Sequence, residues 1–193
     1  MLHNKYYELL KPFLGDCTRE VYGRELIPTV RQSPKGIALA LAELERLGIL
    51  KSRRQGTLKY YRLNADHTEI RDILAIAELL RKIDFLGRHR ALAHLAGPDD
   101  RIVGVFGSFA AGTQKPDSDV DLFIVGPKKP DKYRAKGERL GLELSPRYFT
   151  KQQWTALLRQ KNNLCKEIVK NHIILSQAEA FIATLWSEYY GLR

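Results

Sequence analysis

Gly107-Ser108-Phe109-Ala110-Ala111-Gly112-Thr113-Gln114-Lys115-Pro116-Asp117-Ser118-Asp119-Val120-Asp121 lies between two short apolar runs, Ile102 to Phe106 and Leu122 to Val125. Both runs are rich in β-branched or aromatic residues and bounded by Gly or Pro, so they read as buried strands. Gly107-Ser108 then falls where a strand ends and a short helix, from Phe109, begins. A helix start offers free backbone N–H groups to phosphate. Gly107 allows close backbone approach, and the Ser108 hydroxyl can donate to a phosphate oxygen. Lys115 is a further cation for the phosphates, and equally a flexible surface lysine. Asp119 and Asp121, two apart on a strand, send both carboxylates to one face. Two hard oxygen ligands beside a phosphate cradle describe a site for Mg²⁺ bound to a nucleotide.

Competing readings fail on spacing. Asp117, Asp119 and Asp121 mimic the start of a calcium-binding helix-loop-helix, but that loop needs Gly at its sixth position and Glu at its twelfth. Here those positions are Leu122 and Lys128. Gly104 and Gly107 lack the third glycine of a dinucleotide fingerprint. A solvated turn with Asp119 as a cap accounts for Asp117-Ser118. It does not account for two aspartates that bracket Val120 and run into Leu-Phe-Ile-Val.

Gly-Ser, ten intervening residues and Asp-x-Asp resemble the signature of polymerase-β-like nucleotidyltransferases, above all the small single-domain kind. The resemblance runs from about Arg101 to Ala183. It implies ATP or another NTP as donor and a two-ion Mg²⁺ site on Asp119 and Asp121. It also implies a third carboxylate on a later strand. Leu142-Glu143-Leu144-Ser145 begins such a strand, and Glu143 is its only acid, so Glu143 is assigned as third metal ligand or as base, with Glu138 the alternative. The acceptor implied is a hydroxyl: on a protein, as for antitoxins of this family that modify a partner toxin, on a small alcohol or on RNA.

The chain has 193 residues, 44% hydrophobic and 28% charged, with net charge +10 and pI ≈ 9.6. That surplus favours acidic partners such as nucleic acid or nucleotide. Cys17 and Cys165 are too few for a disulfide framework or a cysteine zinc site, which points to the cytoplasm. No apolar run approaches a membrane span, and no signal-peptide core follows Met1.

Residues 4 to 14 space Tyr6, Leu9, Leu10 and Phe13 as a helix, and Arg19 to Leu26 reads as a second. Ser33-Pro34 opens a third, with Ile37, Leu41, Leu44 and Leu47 as its stripe and Gly48 as its end. Ile49 to Arg53 and Leu58 to Leu63 read as a hairpin around Gln55-Gly56. Three helices and a hairpin resemble a winged helix-turn-helix. That resemblance implies DNA as partner, with Lys35 on the recognition helix and Lys51, Arg53, Arg54, Lys59 and Arg62 on the wing. No acid lies between Ile49 and Asn64, which suits a phosphate backbone. A solvated, protein-binding hairpin is the plainer alternative.

Asp66 to Ala96 reads as one long helix, capped by Asp66 or Thr68, with Ile70, Ile73, Leu74, Ala77, Leu80 and Ile83 as its stripe. It connects two domains and either forms a homodimer interface or packs within the chain. Helices are expected over 131–140, 150 onward, 164–175 and 178–190. Trp154, Leu157, Leu158, Ile168, Ile173, Phe181 and Leu185 read as core, and His89, His94 and His172 as surface or capping residues. The expected architecture is α/β (α+β): a winged helix over 1–65, a connecting helix over 66–97, and a small nucleotidyltransferase sheet with flanking and C-terminal helices over 98–193.

Overall fold

Ser33 starts its helix as its side chain predicts: Oγ accepts from the Gly36 N–H at 3.1 Å, and Pro34 opens the first turn, where a missing N–H costs nothing. The structure, a computed structural model, describes residues 5–130 and 132–192. The chain divides into two units, Met1–Ala77 and Glu78–Arg193. Among the described residues no helix is long and apolar enough to cross a membrane.

The first unit contains α1 (Lys5–Leu14), β1 (Val21–Tyr22), α2 (Gly23–Leu26), α3 (Pro34–Arg46), β2 (Leu50–Gln55) and β3 (Leu58–Leu63). Its antiparallel sheet has the order β1-β3-β2. The hairpin registers Leu50 with Leu63 and Gln55 with Leu58. Val21 and Tyr22, expected in a helix, instead pair with Tyr61 and Tyr60. A β-branched and an aromatic residue suit a strand, and the Tyr22 and Tyr60 rings meet edge to face at 5.6 Å. Leu9, Phe13, Leu26, Ile37, Leu41 and Leu44 are buried. Leu47, expected in the α3 stripe, is 45% exposed: it is the C-cap, and Gly48 at φ +75° turns the chain away.

Helix α4 (Ile70–Arg88) is shorter than expected and gives way to a 3₁₀ turn, Arg90–Leu95. Asp66 accepts from Lys51, and the Thr68 hydroxyl donates to Glu69. Ile70, Leu74 and Ala77 are buried, whereas Ile83 is exposed.

The second unit continues with β4 (Ile102–Phe106), α5 (Gly107–Ala111), β5 (Val120–Val125), α6 (Lys132–Leu140), β6 (Leu144–Phe149), α7 (Lys151–Gln160), α8 (Asn163–Lys170), β7 (His172–Ser176), α9 (Ala178–Thr184) and a π-turn, Leu185–Tyr189. Its sheet has the order β6-β5-β4-β7. Strand β5 runs antiparallel to β4 and parallel to β6, and β7 is antiparallel to β4. Strand β7 replaces the second half of a helix expected over 164–175. Helix α8 ends at Asn171, whose backbone is extended, and the β-branched Ile173-Ile174 pair with Val105 and Gly104.

One sheet face packs Val105, Leu122 and Ile124 with Phe85, Leu92 and Tyr133. On the other, Phe123 stacks on Trp154 at 5.6 Å between centroids. Gly104 permits this: a Cβ there would stand 2.3 Å from the Phe123 ring. Trp154 is held by a capping box between Thr150 and Gln153 at the start of α7. His172, expected at the surface, is fully buried. Its Nδ1 lies 3.0 Å from the Ile168 and Val169 carbonyl oxygens, and its Nε2 lies 2.9 Å from the buried Glu78 carboxylate.

Register fixes the working end of the sheet. Phe106 at the end of β4 pairs with His172 at the start of β7, and Val120 at the start of β5 pairs with Leu144 at the start of β6. Because β4 opposes β5, the turn after Phe106 and the starts of β5, β6 and β7 share one end.

Candidate active site

At that end Gly107 adopts φ +67°, and a Cβ built on it would stand 2.4 Å from Asp121 Oδ2. The Asp121 carboxylate therefore rests against the glycine backbone. Helix α5 begins at Gly107 itself, two residues before the expected start, and Phe106 gives it no side-chain cap. The loop beyond closes on itself. Gly112 at φ +73° ends the helix, the Lys115 N–H donates to Ser118 Oγ at 2.9 Å, and the Lys115 side chain is exposed. Ser118 thus shapes the approach to Asp119.

Asp119 immediately precedes β5 and Asp121 lies within it. The Asp121 carboxyl is held above the ordinary aspartate range, first by burial and then by the Asp119 charge; Arg147 opposes the shift and Glu167 adds to it. A partly desolvated pair of like charges fits a hard divalent cation, which would compensate both. Glu143 lies just before β6 rather than on it. Its carbonyl accepts from the Val120 N–H at 2.8 Å, and its side chain is exposed. Among the described residues no three His, Cys, Asp or Glu side chains are grouped to hold a metal ion, so Glu143 is not assembled with the two aspartates. Glu138 lies on α6 and is also exposed.

Arg147 and Glu167 were not anticipated. Arg147 pairs in register with Phe123, so it shares a face with Asp121, and alternation from Glu143 would have found it. Glu167 was hidden because α8 and β7 read as one helix.

In the first unit, carboxylates remote in sequence engage the basic hairpin. Lys51 pairs with Asp66 at 2.5 Å, Arg53 with Glu20 at 2.5 Å and Lys59 with Glu45 at 2.6 Å. Lys35, Arg54 and Arg62 are exposed.

Residues 90–175 match the family model for the nucleotidyltransferase domain. The matched segment contains Gly107, Ser108, Asp119, Asp121 and Glu143, so the second unit is similar to nucleotidyltransferase domains. No curated protein and no solved structure matches the chain.

Proposed function

We propose that the second unit transfers a nucleoside monophosphate from ATP or another NTP to a hydroxyl acceptor. The Asp121 carboxylate seated on Gly107, beside Asp119, carries this reading: phosphate cradle and cation ligands meet at one point. Gly107 N–H and Ser108 Oγ hold the outer phosphates by donation, with Lys115 as a mobile cation. Asp119 and Asp121 would hold Mg²⁺; Glu143, not grouped with them as a third ligand among the described residues, keeps the role of base. Bound there, Mg²⁺ supplies charge neutralisation at the phosphates and lowers the pKa of the acceptor hydroxyl. The acceptor oxygen forms a bond to the α-phosphorus while the bond from that phosphorus to pyrophosphate breaks, and the hydroxyl proton passes to Glu143 or water. The acceptor is a protein side chain, such as that of a partner toxin, a small alcohol or an RNA hydroxyl.

The test is incorporation of α-phosphate-labelled ATP with Mg²⁺, comparing the protein with the Asp119→Asn, Asp121→Asn double variant. Label that appears with both would sink the assignment.

A second reading treats the protein as a DNA-binding transcriptional regulator whose nucleotidyltransferase-like domain senses nucleotide with little turnover. The helix, strand and hairpin order with a β1-β3-β2 sheet supports a winged helix over residues 1–65. The chain then continues through a connecting helix over 66–97 into the nucleotidyltransferase domain over 98–193. Lys35, Arg54 and Arg62 contact DNA directly, and Lys51, Arg53 and Lys59 exchange their carboxylates for phosphates. A cytoplasmic homodimer through the exposed Leu79 and Ile83 of α4 belongs to this reading. Sequence-selective DNA binding that is lost in the Arg53→Ala, Arg54→Ala variant, without any label transfer, would favour it.

A further inference from the structure

We infer that α8, with the turn before it and the π-turn beside that turn, forms a track for a nucleic-acid strand whose terminal hydroxyl is the acceptor. The inference rests on the transferase reading and names its substrate class.

Helix α8 buries Cys165, Ile168 and Val169. Lys166 and Lys170, four apart, therefore share an exposed side. Lys170 is followed by Asn171 and then His172, which pairs with Phe106, so this side ends where the Gly107 turn and the aspartates stand. In the turn before α8, where Lys161 caps the end of α7, Lys161 Nζ sits 4.8 Å from the Tyr189 ring centroid. Tyr190 meets Tyr189 edge to face at 4.9 Å. Exposed lysines on a helix with an aromatic pair at the turn before it are what a single strand can use: phosphates meet cations and bases meet rings. Glu167 is the one acid on α8, and Arg159, the other nearby cation, is committed to Glu188 at 2.7 Å.

Among the described residues the large exposed hydrophobic side chains lie outside α7, α8 and the π-turn. The half-buried Tyr189 and Tyr190 rings suit a protein as well as a base, and it is the lysines that favour an anionic strand. In the reaction, the strand's terminal oxygen bonds to the α-phosphorus, pyrophosphate leaves, and the hydroxyl proton goes to Glu143 or water.

The experiment uses the full chain carrying Lys35→Ala, Lys51→Ala, Arg53→Ala, Arg54→Ala, Lys59→Ala and Arg62→Ala, which removes every cation assigned to DNA in the first unit. Binding of labelled single-stranded RNA and of DNA of the same sequence is measured with and without Lys166→Glu plus Lys170→Glu, and far-ultraviolet circular dichroism confirms that each variant is folded. Affinity for at least one strand is expected to fall tenfold or more on charge reversal and to be retained with Lys166→Arg plus Lys170→Arg. The salt slope is expected to fall by about 1.4, for two lost phosphate contacts on a single strand. Label from ATP is expected on strands with a free 3′-hydroxyl and not on blocked ones. Affinities for both strands within twofold after reversal would overturn the inference, as would label that goes to a protein independently of these lysines. Lysine-dependent strand binding with no transfer by any variant would instead remove the transferase reading and leave the track as a binding surface.

Discussion

Asp121 leans on Gly107 so closely that a β-carbon at residue 107 would stand 2.4 Å from Oδ2. Gly107→Ala therefore meets two obstacles, a left-handed backbone at φ +67° and the carboxylate itself. The substitution is expected to cost about 1–3 kcal/mol and to abolish label transfer by displacing Asp121. A melting temperature equal to that of the unaltered protein would refute this account of the turn.

Asp121→Asn is expected to stabilise the second unit, by about 0.5–2 kcal/mol, while it eliminates transfer. The native carboxyl is raised above its ordinary range by burial and by Asp119, so the folded state binds its proton more tightly than the unfolded state. The wild type then gains stability as pH falls through the folded-state pKa toward the unfolded one. Asparagine cannot share that gain. The advantage of the variant is therefore largest near neutral pH and shrinks on acidification, which melts in chelator across pH would show. A gap that widens in acid would contradict the sign.

Glu78 and His172 are both fully buried, with Oε1 and Nε2 2.9 Å apart. Glu78→Ala leaves the buried His172 Nε2 without its partner, while Nδ1 keeps the Ile168 and Val169 carbonyls, and is expected to cost about 3–5 kcal/mol, with Glu78→Gln costing less because an amide still reaches Nε2. Both tryptophans, Trp154 and Trp186, are buried in the second unit, so fluorescence-detected urea unfolding reads this unit selectively. A loss under about 1 kcal/mol would show that the pair is dispensable.

Glu20 and Glu45 are held below the ordinary glutamate range, Glu20 by its hydrogen bonds from Arg53 and Glu45 by those from Lys59 and Ser52. If the hairpin binds DNA, Glu20→Gln with Glu45→Gln frees two cations. DNA affinity is then expected to rise and the salt slope to steepen by up to about 1.8. Titrations at two salt concentrations check this; unchanged affinity and slope would mean that Arg53 and Lys59 do not meet phosphate.

The legible parts were those governed by local chemistry. Ser33-Pro34 announced a helix start, and the runs on either side of Gly107 to Asp121 announced β4 and β5. Strands needing a distant partner were missed. Val21-Tyr22 is a strand only because Tyr60 and Tyr61 arrive from across the unit, and His172 to Ser176 only because β4 has an open edge. The same limit governs charge. The hairpin looked free of acids because Glu20, Glu45 and Asp66 lie outside it in sequence. Asp119 and Asp121 were legible from a two-residue spacing, whereas the place of Glu143 depended on where β6 begins, and strand boundaries are weakly encoded.

Pro146 sits in the middle of β6, an outer strand. The bonds at the two ends of the β5–β6 ladder, from Val120 N–H to the Glu143 carbonyl at 2.8 Å and from Gly126 N–H to the Phe149 carbonyl at 2.9 Å, engage odd-numbered residues of that side. Alternation turns the backbone of Leu144, Pro146 and Tyr148 outward, and at Pro146 there is no N–H to offer. An incoming strand would meet a gap in the middle of its template. The edge nearest the aspartates is thus closed to sheet extension, and a protein that must keep this end open to substrates is guarded there against pairing with copies of itself.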